Sequence, residues 1–231
     1  MKLRILALTL MYLLFAAVCD VRAAFTIEPA VIMFWADKGE KTAFAEIVHV
    51  NGGPAAVQFS VHERKLDING KLVIDDMTPS SDFIVHPAQV ILYPNERTTV
   101  QIQYRSKKKI TEDRAYVLLS REVPIEIDEE PTGVISVKTL TNYYTTLAVE
   151  TGKPGNLVFV SSKAIGGGKI EVIAENKGGG RIPMDRISLS VGGRSITEFT
   201  GKGNSIMPGT QRRFTFEWPR AVTAKEVQFG R

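Results

Sequence analysis

The sequence predicts an all-β protein that is exported from the cytoplasm and folds as two sandwich domains. Short runs of β-branched and aromatic residues recur between glycine, proline, asparagine and aspartate, and no stretch beyond residue 23 keeps apolar residues at helical spacing. An apolar run near the N-terminus is typical of an export signal. A Pro-Gly pair at residues 154–155 separates two sets of predicted strands.

The N-terminal 23 residues have the pattern of a signal peptide. A basic start, residues 1–4, precedes the apolar residues 5–18, a run too short to span a bilayer comfortably. The Val-Arg-Ala sequence that ends at Ala23 predicts cleavage there, which leaves Ala24 as the mature N-terminus. A retained membrane anchor and a lipoprotein signal are the alternatives, although Val18 precedes Cys19 where a lipoprotein signal has a small residue.

The composition of the mature chain excludes thiol chemistry and argues against a nucleic-acid partner. Cys19 is the only cysteine and lies in the expected signal peptide, so the mature chain has neither a disulfide nor a thiolate. Loss of three basic residues and one acidic residue with the signal takes the formal charge from +4 to +2. The one dense basic run, residues 105–109, falls in a predicted loop; phosphate binding there is the alternative to simple solvation.

The first domain is expected to contain a series of short strands. Pro29 breaks the first of them, and because proline removes a ladder donor, this strand should lie at a sheet edge and change sheets there. The Asn69-Gly70 pair predicts a surface hairpin over residues 65–74, with both central residues at positive φ. The expected strands cover residues 25–28, 31–35, 43–50, 56–62, 83–87, 89–94, 98–104, 114–123 and 133–149.

A smaller second β domain is expected after residues 153–156. We therefore predict a signal peptide over residues 1–23 and domains over residues 24–153 and 154–231. Seven or more short strands separated by turns are the pattern of an immunoglobulin-like sandwich. The second domain has a modest core and should lean on the first. Its expected strands cover residues 157–160, 169–174, 187–191 and 213–218, with a hairpin turn at residues 166–168.

Two segments of the first domain, residues 85–96 and residues 111–124, resemble segments of the periplasmic pilus (fimbrial) chaperones of Gram-negative bacteria, and the chain resembles a divergent member of that family. Residues 85–96 are similar to a proline-flanked motif of that family. Residues 111–124 resemble its order of Asp-Arg, an apolar strand and Glu-apolar-Pro. Residues 175–178 and 206–210 carry weaker likenesses. The resemblance implies two immunoglobulin-like domains in a boomerang arrangement, located in the periplasm.

The resemblance also implies a mechanism, in which the last strand of the first domain is lent to an incomplete pilus subunit. Residues 134–140 fit such a donor strand, with Ile135, Val137 and Thr139 on one face. The implied partners are pilus or fimbrial subunits and an outer-membrane usher, through which alone the protein would contact a membrane. An exposed donor strand also invites a homodimer when free. The alternative is that Ile135 and Val137 are core residues of a closed sandwich.

One feature of the family does not carry over to this sequence. Many members clamp the terminal carboxylate of the subunit with an arginine and a lysine. The aligned positions here are Val31 and Tyr144, which carry no charge. The candidate substitutes for that carboxylate anchor are Lys138, Arg114 and Arg121.

No residue pattern predicts catalysis, a metal or a cofactor. His49, His62 and His86 are not spaced as metal ligands, and the chain lacks a Gly-x-Ser-x-Gly elbow and a phosphate-binding loop. The carboxylate pairs at residues 75–76 and 129–130 lie in polar, turn-rich segments, which makes a hydrolase the weaker hypothesis. The main alternative to a chaperone is a secreted β-sandwich that binds a ligand or serves as a structural surface protein.

Overall fold

The computed structural model describes residues 24–36, 41–50, 53–106, 108–125, 140–201 and 203–230. These residues form strands, turns and one 3-10 helix, η1 (Met184–Arg186). Within the described ranges, no helix has the length and apolar character needed to cross a membrane.

The described residues of the N-terminal half form nine strands, which lie close to the predicted positions. Residues 25–28 and 31–35 form separate strands on either side of Pro29, as expected. The strands are β1 (Phe25–Glu28), β2 (Val31–Trp35), β3 (Thr42–His49), β4 (Ala55–Glu63), β5 (Phe83–His86), β6 (Gln89–Leu92), β7 (Arg97–Tyr104), β8 (Arg114–Val123) and β9 (Asn142–Glu150).

The nine strands form two sheets that face each other across a core. One sheet has the order β1-β3-β7-β5 and the other β2-β9-β8-β4-β6. The chain changes sheets at Pro29, so β1 and β2 are edge strands of different sheets, which confirms the prediction for that proline. β2 pairs with β9 in parallel, whereas β8 pairs with β9 in antiparallel.

The core between these sheets is aliphatic and aromatic. Alternate residues of β4, namely Val57, Phe59 and Val61, point into it, as the period-2 pattern predicted. Four rings pack edge to face or tilted: Phe83 lies 5.3 Å from Phe34, 5.1 Å from Tyr104 and 4.9 Å from Tyr116, centroid to centroid.

In the C-terminal half, the residues that the structure describes form six strands, in two three-stranded sheets of order β10-β11-β14 and β13-β12-β15. β10 and β11 form a hairpin whose turn, residues 166–168, consists of three glycines at positive φ, as expected. The strands β13 and β15 were not predicted. The six are β10 (Leu157–Gly166), β11 (Lys169–Asn176), β12 (Ser188–Val191), β13 (Arg194–Ile196), β14 (Gln211–Glu217) and β15 (Val227–Gly230).

Each half has its own hydrophobic core. The first cluster of buried residues runs from Phe25 to Val149 and the second from Ile170 to Val227, with no residue in common. A two-domain β architecture is therefore present. The cut between residues 153 and 154 stays a prediction, because the chain there contacts both halves.

The 65–74 segment differs from its prediction in two respects. Gly70 has φ +84°, but Asn69 is not at positive φ, because the turn spans Asp67 to Lys71 and the Asp67 carboxylate accepts the N–H groups of Asn69 and Lys71 at 2.9 and 2.8 Å. The turn is also not wholly on the surface, since Gly70 is buried against Arg212 of the C-terminal half.

Candidate functional site

The predicted donor strand lies outside the described residues. Ile135, Val137, Lys138 and Thr139 all fall within residues 126–139, and the structure resumes at Leu140. Of the strand expected over residues 133–149, the described residues 140–141 lie outside any strand, and β9 begins at Asn142. The described surroundings of the predicted donor strand are the start of β9, the neighbouring ends of β8 and β2, and the junction between the halves.

β9 is held between β8 and the edge strand β2. Tyr143, Leu147 and Val149 face the core, and Tyr143 packs on Phe25 with ring centroids 5.2 Å apart. Tyr144 and Thr146 lie on the other face, which is the outward one. The run 143–149 thus packs inside through alternate residues, as expected.

The two positions aligned with the family's carboxylate clamp do come together. Val31 lies directly opposite Thr146 in the parallel pair, on the outward face that also carries Tyr144 two residues away. Val31 is 54% exposed and Met33, its neighbour on the same face of β2, is 41% exposed. This corner of the sheet therefore offers apolar and aromatic surface where a clamp would offer cations.

The candidate anchors Arg114 and Arg121 lie at opposite ends of β8. Their Cα atoms are about 23 Å apart at the ordinary rise of a strand, and an odd separation puts the side chains on opposite faces. One carboxylate cannot contact both. The two arginines are thus alternatives.

Arg114 is already engaged within the N-terminal half. A hydrogen bond to Tyr116 raises the pKa of Arg114 above its ordinary value, and the carboxylates of Glu112 and Asp82 act in the same direction. The Tyr116 hydroxyl in turn donates to Asp82 Oδ2 at 2.8 Å. Arg121, by contrast, is exposed and lies opposite Asn142, the first residue of β9.

The junction between the halves is held by a polar network that sequence reasoning missed. Asp113 accepts three hydrogen bonds: from the N–H and hydroxyl of Thr151 at 2.7 and 2.8 Å, and from the N–H of Arg181 at 2.9 Å. Arg181 also pairs with Glu150 and donates to Ser205 Oγ at 3.0 Å. Asp113 belongs to the Asp-Arg motif, but its partner Arg181 lies in a segment whose sequence carries no comparable signal.

A cavity of about 200 Å³ lies beside this network. Trp35 at the end of β2 forms one wall, and Pro183 and Arg186 of the C-terminal half form another. Lys153, whose Nζ donates to the Thr111 carbonyl at 2.5 Å, closes the side toward the linker.

A second contact between the halves involves the 67–71 turn. The N–H of Arg213 donates to the Ile68 carbonyl at 2.9 Å, and the Asn204 side-chain amide donates to the Gly70 carbonyl at 3.0 Å. Arg212 is 1% exposed and its guanidinium lies against Gly70. It donates to the carbonyls of Gly201 and Asn204 at 3.3 and 3.1 Å, and burial lowers its pKa.

A metal centre is not found in the part of the chain that the structure describes. No group of three or more histidine, cysteine, aspartate and glutamate side chains is placed to hold a metal ion there. His49, His62 and His86 each lie in a strand, and His49 bonds through Nε2 to the Gly53 carbonyl at 2.9 Å. Asp75 and Asp76 are exposed.

Comparison with known proteins identifies the fold. No family model and no curated protein matches the sequence. Solved structures do match. A chain of the Salmonella enterica SafA pilin–SafB chaperone complex has a TM-score of 0.55 and 18% identity, over 87% of this chain and 86% of that chain.

Two further structures match over a similar span. A chain of the CsuC–CsuE chaperone–tip subunit pre-assembly complex of Acinetobacter baumannii gives a TM-score of 0.57 and 16% identity, over 90% and 92% of the two chains. The E. coli chaperone DraB gives 0.55 and 12%, over 90% and 94%. The protein thus has the fold of these chaperones, at low sequence identity.

Proposed function

We propose that this protein is a periplasmic chaperone that binds pilus or fimbrial subunits by donating a strand and delivers them to an outer-membrane usher. The observation that carries the proposal is the extent of the fold similarity. It spans both halves of the chain and most of each neighbour, and two of those neighbours were solved in complexes of a chaperone with a pilin or a tip subunit. Its action is binding, with no catalytic step.

The segment before β9 is the proposed donor strand. Ile135, Val137 and Thr139 have the sequence parity of Tyr143 and Leu147, whose side chains face the core. A strand that kept this parity beyond the sheet would carry the three side chains into the core of a subunit. Main-chain hydrogen bonds would supply affinity, and the alternate side chains would supply specificity.

The anchor for a subunit carboxylate is proposed to be Arg121 or Lys138. Arg121 is exposed at the β9 start, next to the point where the donor segment would join the sheet. Arg114 fits less well, because Tyr116, Asp82 and Glu112 already surround its charge. The apolar surface at Val31 and Met33 would then contact the subunit beside the donor strand.

Export is part of the same proposal. Residues 1–23 are proposed as the signal peptide, residues 24–153 and 154–231 as the two domains, and donor-strand pairing as the route to a homodimer in the absence of subunit. N-terminal sequencing of the protein from periplasm should begin at Ala24. A start at Met1 would contradict export by cleavage.

Co-purification from periplasm tests subunit binding. The chain and the neighbouring subunit genes are expressed together, with the native protein compared with an Ile135→Asp, Val137→Asp double variant. We expect the native chain to retain one small β-rich subunit and the double variant to lose it, because two carboxylates cannot enter an apolar subunit core unpaired.

The matched control is a Val134→Asp, Ser136→Asp double variant, which adds the same charge on the opposite face of the proposed donor strand. This variant should retain most of the subunit. Equal binding by all three chains would remove Ile135 and Val137 from the interface. Absence of any subunit on the native chain would instead favour the secreted ligand-binding or structural protein.

A further inference from the structure

The ladder between β8 and β9 ends in an unusual pair. The register runs from Arg114 opposite Val149 to Arg121 opposite Asn142, so Glu122 and Thr141 are the next residues to oppose each other. The N–H of Glu122 donates to the Thr141 carbonyl at 2.9 Å, as a narrow antiparallel pair requires. The N–H of Thr141, however, donates at 3.1 Å to the carboxylate Oε2 of Glu122. A side chain therefore supplies half of the last pair.

The Glu122 side chain occupies a position that packing alone does not explain. Glu122 is 1% exposed, and its position in the register faces Val57, a core residue of β4. Burial of a carboxylate is unfavourable unless hydrogen bonds hold the charged form. An aliphatic residue would fill this place without that penalty, and the hydrogen bond to the main chain of Thr141 is one that only a residue with an acceptor can make.

We infer that Glu122 is a positioning residue, which fixes the point where the chain before Thr141 leaves the sheet. This inference rests on the proposed function. Thr139, the last of the proposed donor side chains, precedes Thr141 by two residues in the sequence, and the six residues from Ile135 to Thr141 would span about 20 Å if the proposed donor segment is extended. A slip by one residue would turn every donor side chain to the other face. By clamping Thr141 from both its N–H and its C=O, Glu122 sets the register in which an incomplete β-rich subunit receives the donor strand.

Hydrogen exchange on the free protein tests the clamp directly. We compare the native chain with Glu122→Met, which keeps the volume but removes the acceptor, and with Glu122→Gln, whose amide oxygen still accepts. The Thr141 amide should exchange at least tenfold faster in the Met variant and near the native rate in the Gln variant. The amides of Leu147 and Val149, far along β9, should keep native exchange rates in both. Unchanged exchange at Thr141 in the Met variant, or fast exchange in both variants, would overturn the inference.

Register in the complex is tested by disulfide cross-linking. Since Cys19 is the only cysteine and lies in the predicted signal peptide, a cysteine introduced at position 137 is the single thiol of the mature chain. With native Glu122, this thiol should form a disulfide with one position of a subunit in which cysteines are introduced one at a time; with Glu122→Met, it should form disulfides with several positions. The amount of subunit captured should also fall tenfold or more in Glu122→Met and return to the native level in Glu122→Gln.

A merely structural role would lower the melting temperature and speed exchange throughout β8 and β9, without a change of cross-linking partner. A single unchanged partner in the Met variant would overturn the positioning role. If the native chain captures no subunit, the proposed function fails, while the exchange of Thr141 still decides whether the clamp exists.

Discussion

Tyr116 links the aromatic core of the N-terminal half to a carboxylate. Its ring packs 4.9 Å from Phe83, and its hydroxyl donates to Asp82. Burial raises the pKa of the Tyr116 phenol well above its ordinary value, and the hydrogen bond to Asp82 acts in the same direction. The phenol is therefore held in its neutral form.

We predict that Tyr116→Phe lowers the free energy of unfolding by about 2 kcal/mol at neutral pH, through loss of a hydrogen bond to a charged group. Because the folded pKa is raised, the contribution is complete below the unfolded phenol pKa of about 10 and is lost as the pH rises above it. Urea unfolding measured from pH 8 to 11 should show that the difference in unfolding free energy between the native protein and Tyr116→Phe becomes smaller above pH 10. Tyr93→Phe is the control, because Tyr93 is exposed, and its unfolding free energy should equal that of the native protein at neutral pH. A difference between the native protein and Tyr116→Phe that grew above pH 10 would contradict the prediction.

Single residues were the hardest features to predict at the site. The resemblance led to Val31 and Tyr144 as neighbouring positions, and the structure places them on one face of adjacent strands. It did not lead to Glu150 or Arg181, and it included Glu122 in the Glu-apolar-Pro motif without indicating a role for the side chain. Each of these charges is explained only by a partner far along the chain or by the main chain of another strand, and sequence patterns report local spacing.

Among the strands and turns, period-2 alternation and proline located most of the fold. β4 and the break at Pro29 follow directly from local physics. β13 and β15 were missed because the first has three residues and the second ends in glycine, so neither shows a full alternation. Each of them is held in the sheet by pairing with β12, which lies between them.

The triple-glycine segment over residues 178–180 packs on the linker between the halves. A Cβ added to Gly180 would lie 1.8 Å from the Lys153 carbonyl oxygen, and the N–H of Gly180 donates to the Pro154 carbonyl at 3.1 Å. Only a residue without a side chain allows two backbones to approach in this way. The second strand set is thereby fixed to the chain that precedes it.

Gly180→Ala should therefore cost about 3 kcal/mol of folding free energy, since neither backbone can move without breaking its hydrogen bonds. Gly53→Ala is the control, because a Cβ there meets nothing within 4 Å. Urea unfolding of the two variants should separate them clearly. Equal midpoints would show that the linker yields to the added methyl group.

At the scale of the whole molecule, two contacts between the described parts of the two halves are linked to each other. Arg181, at the Asp113 network, donates to the Ser205 hydroxyl, and Asn204, the preceding residue, donates to Gly70 in the 67–71 turn. The side chain of Arg212 is fixed in the same loop, because its buried guanidinium donates hydrogen bonds to the carbonyls of Gly201 and Asn204. These contacts agree with the expectation that the second domain packs against the first. The sequence could not show that the hairpin predicted over residues 65–74 would make one of the contacts.

Gly70→Ala is expected to loosen this second contact while leaving each core intact. The new Cβ would lie 2.0 Å from Arg212 Nη1, and Gly70 already holds φ +84°, so either the turn or the Arg212 guanidinium must move, and either movement weakens the contact between the turn and the C-terminal half. Gly167→Ala is the matched control, since it shares positive φ, at +60°, but has nothing within 4 Å. Solution X-ray scattering should show a larger maximum dimension for Gly70→Ala alone. We also expect calorimetry to show one unfolding transition for the native protein and two for Gly70→Ala, because domains joined by fewer contacts unfold independently. Scattering and melting identical to those of Gly167→Ala would mean that the Asp113–Arg181 contact alone sets the arrangement of the halves.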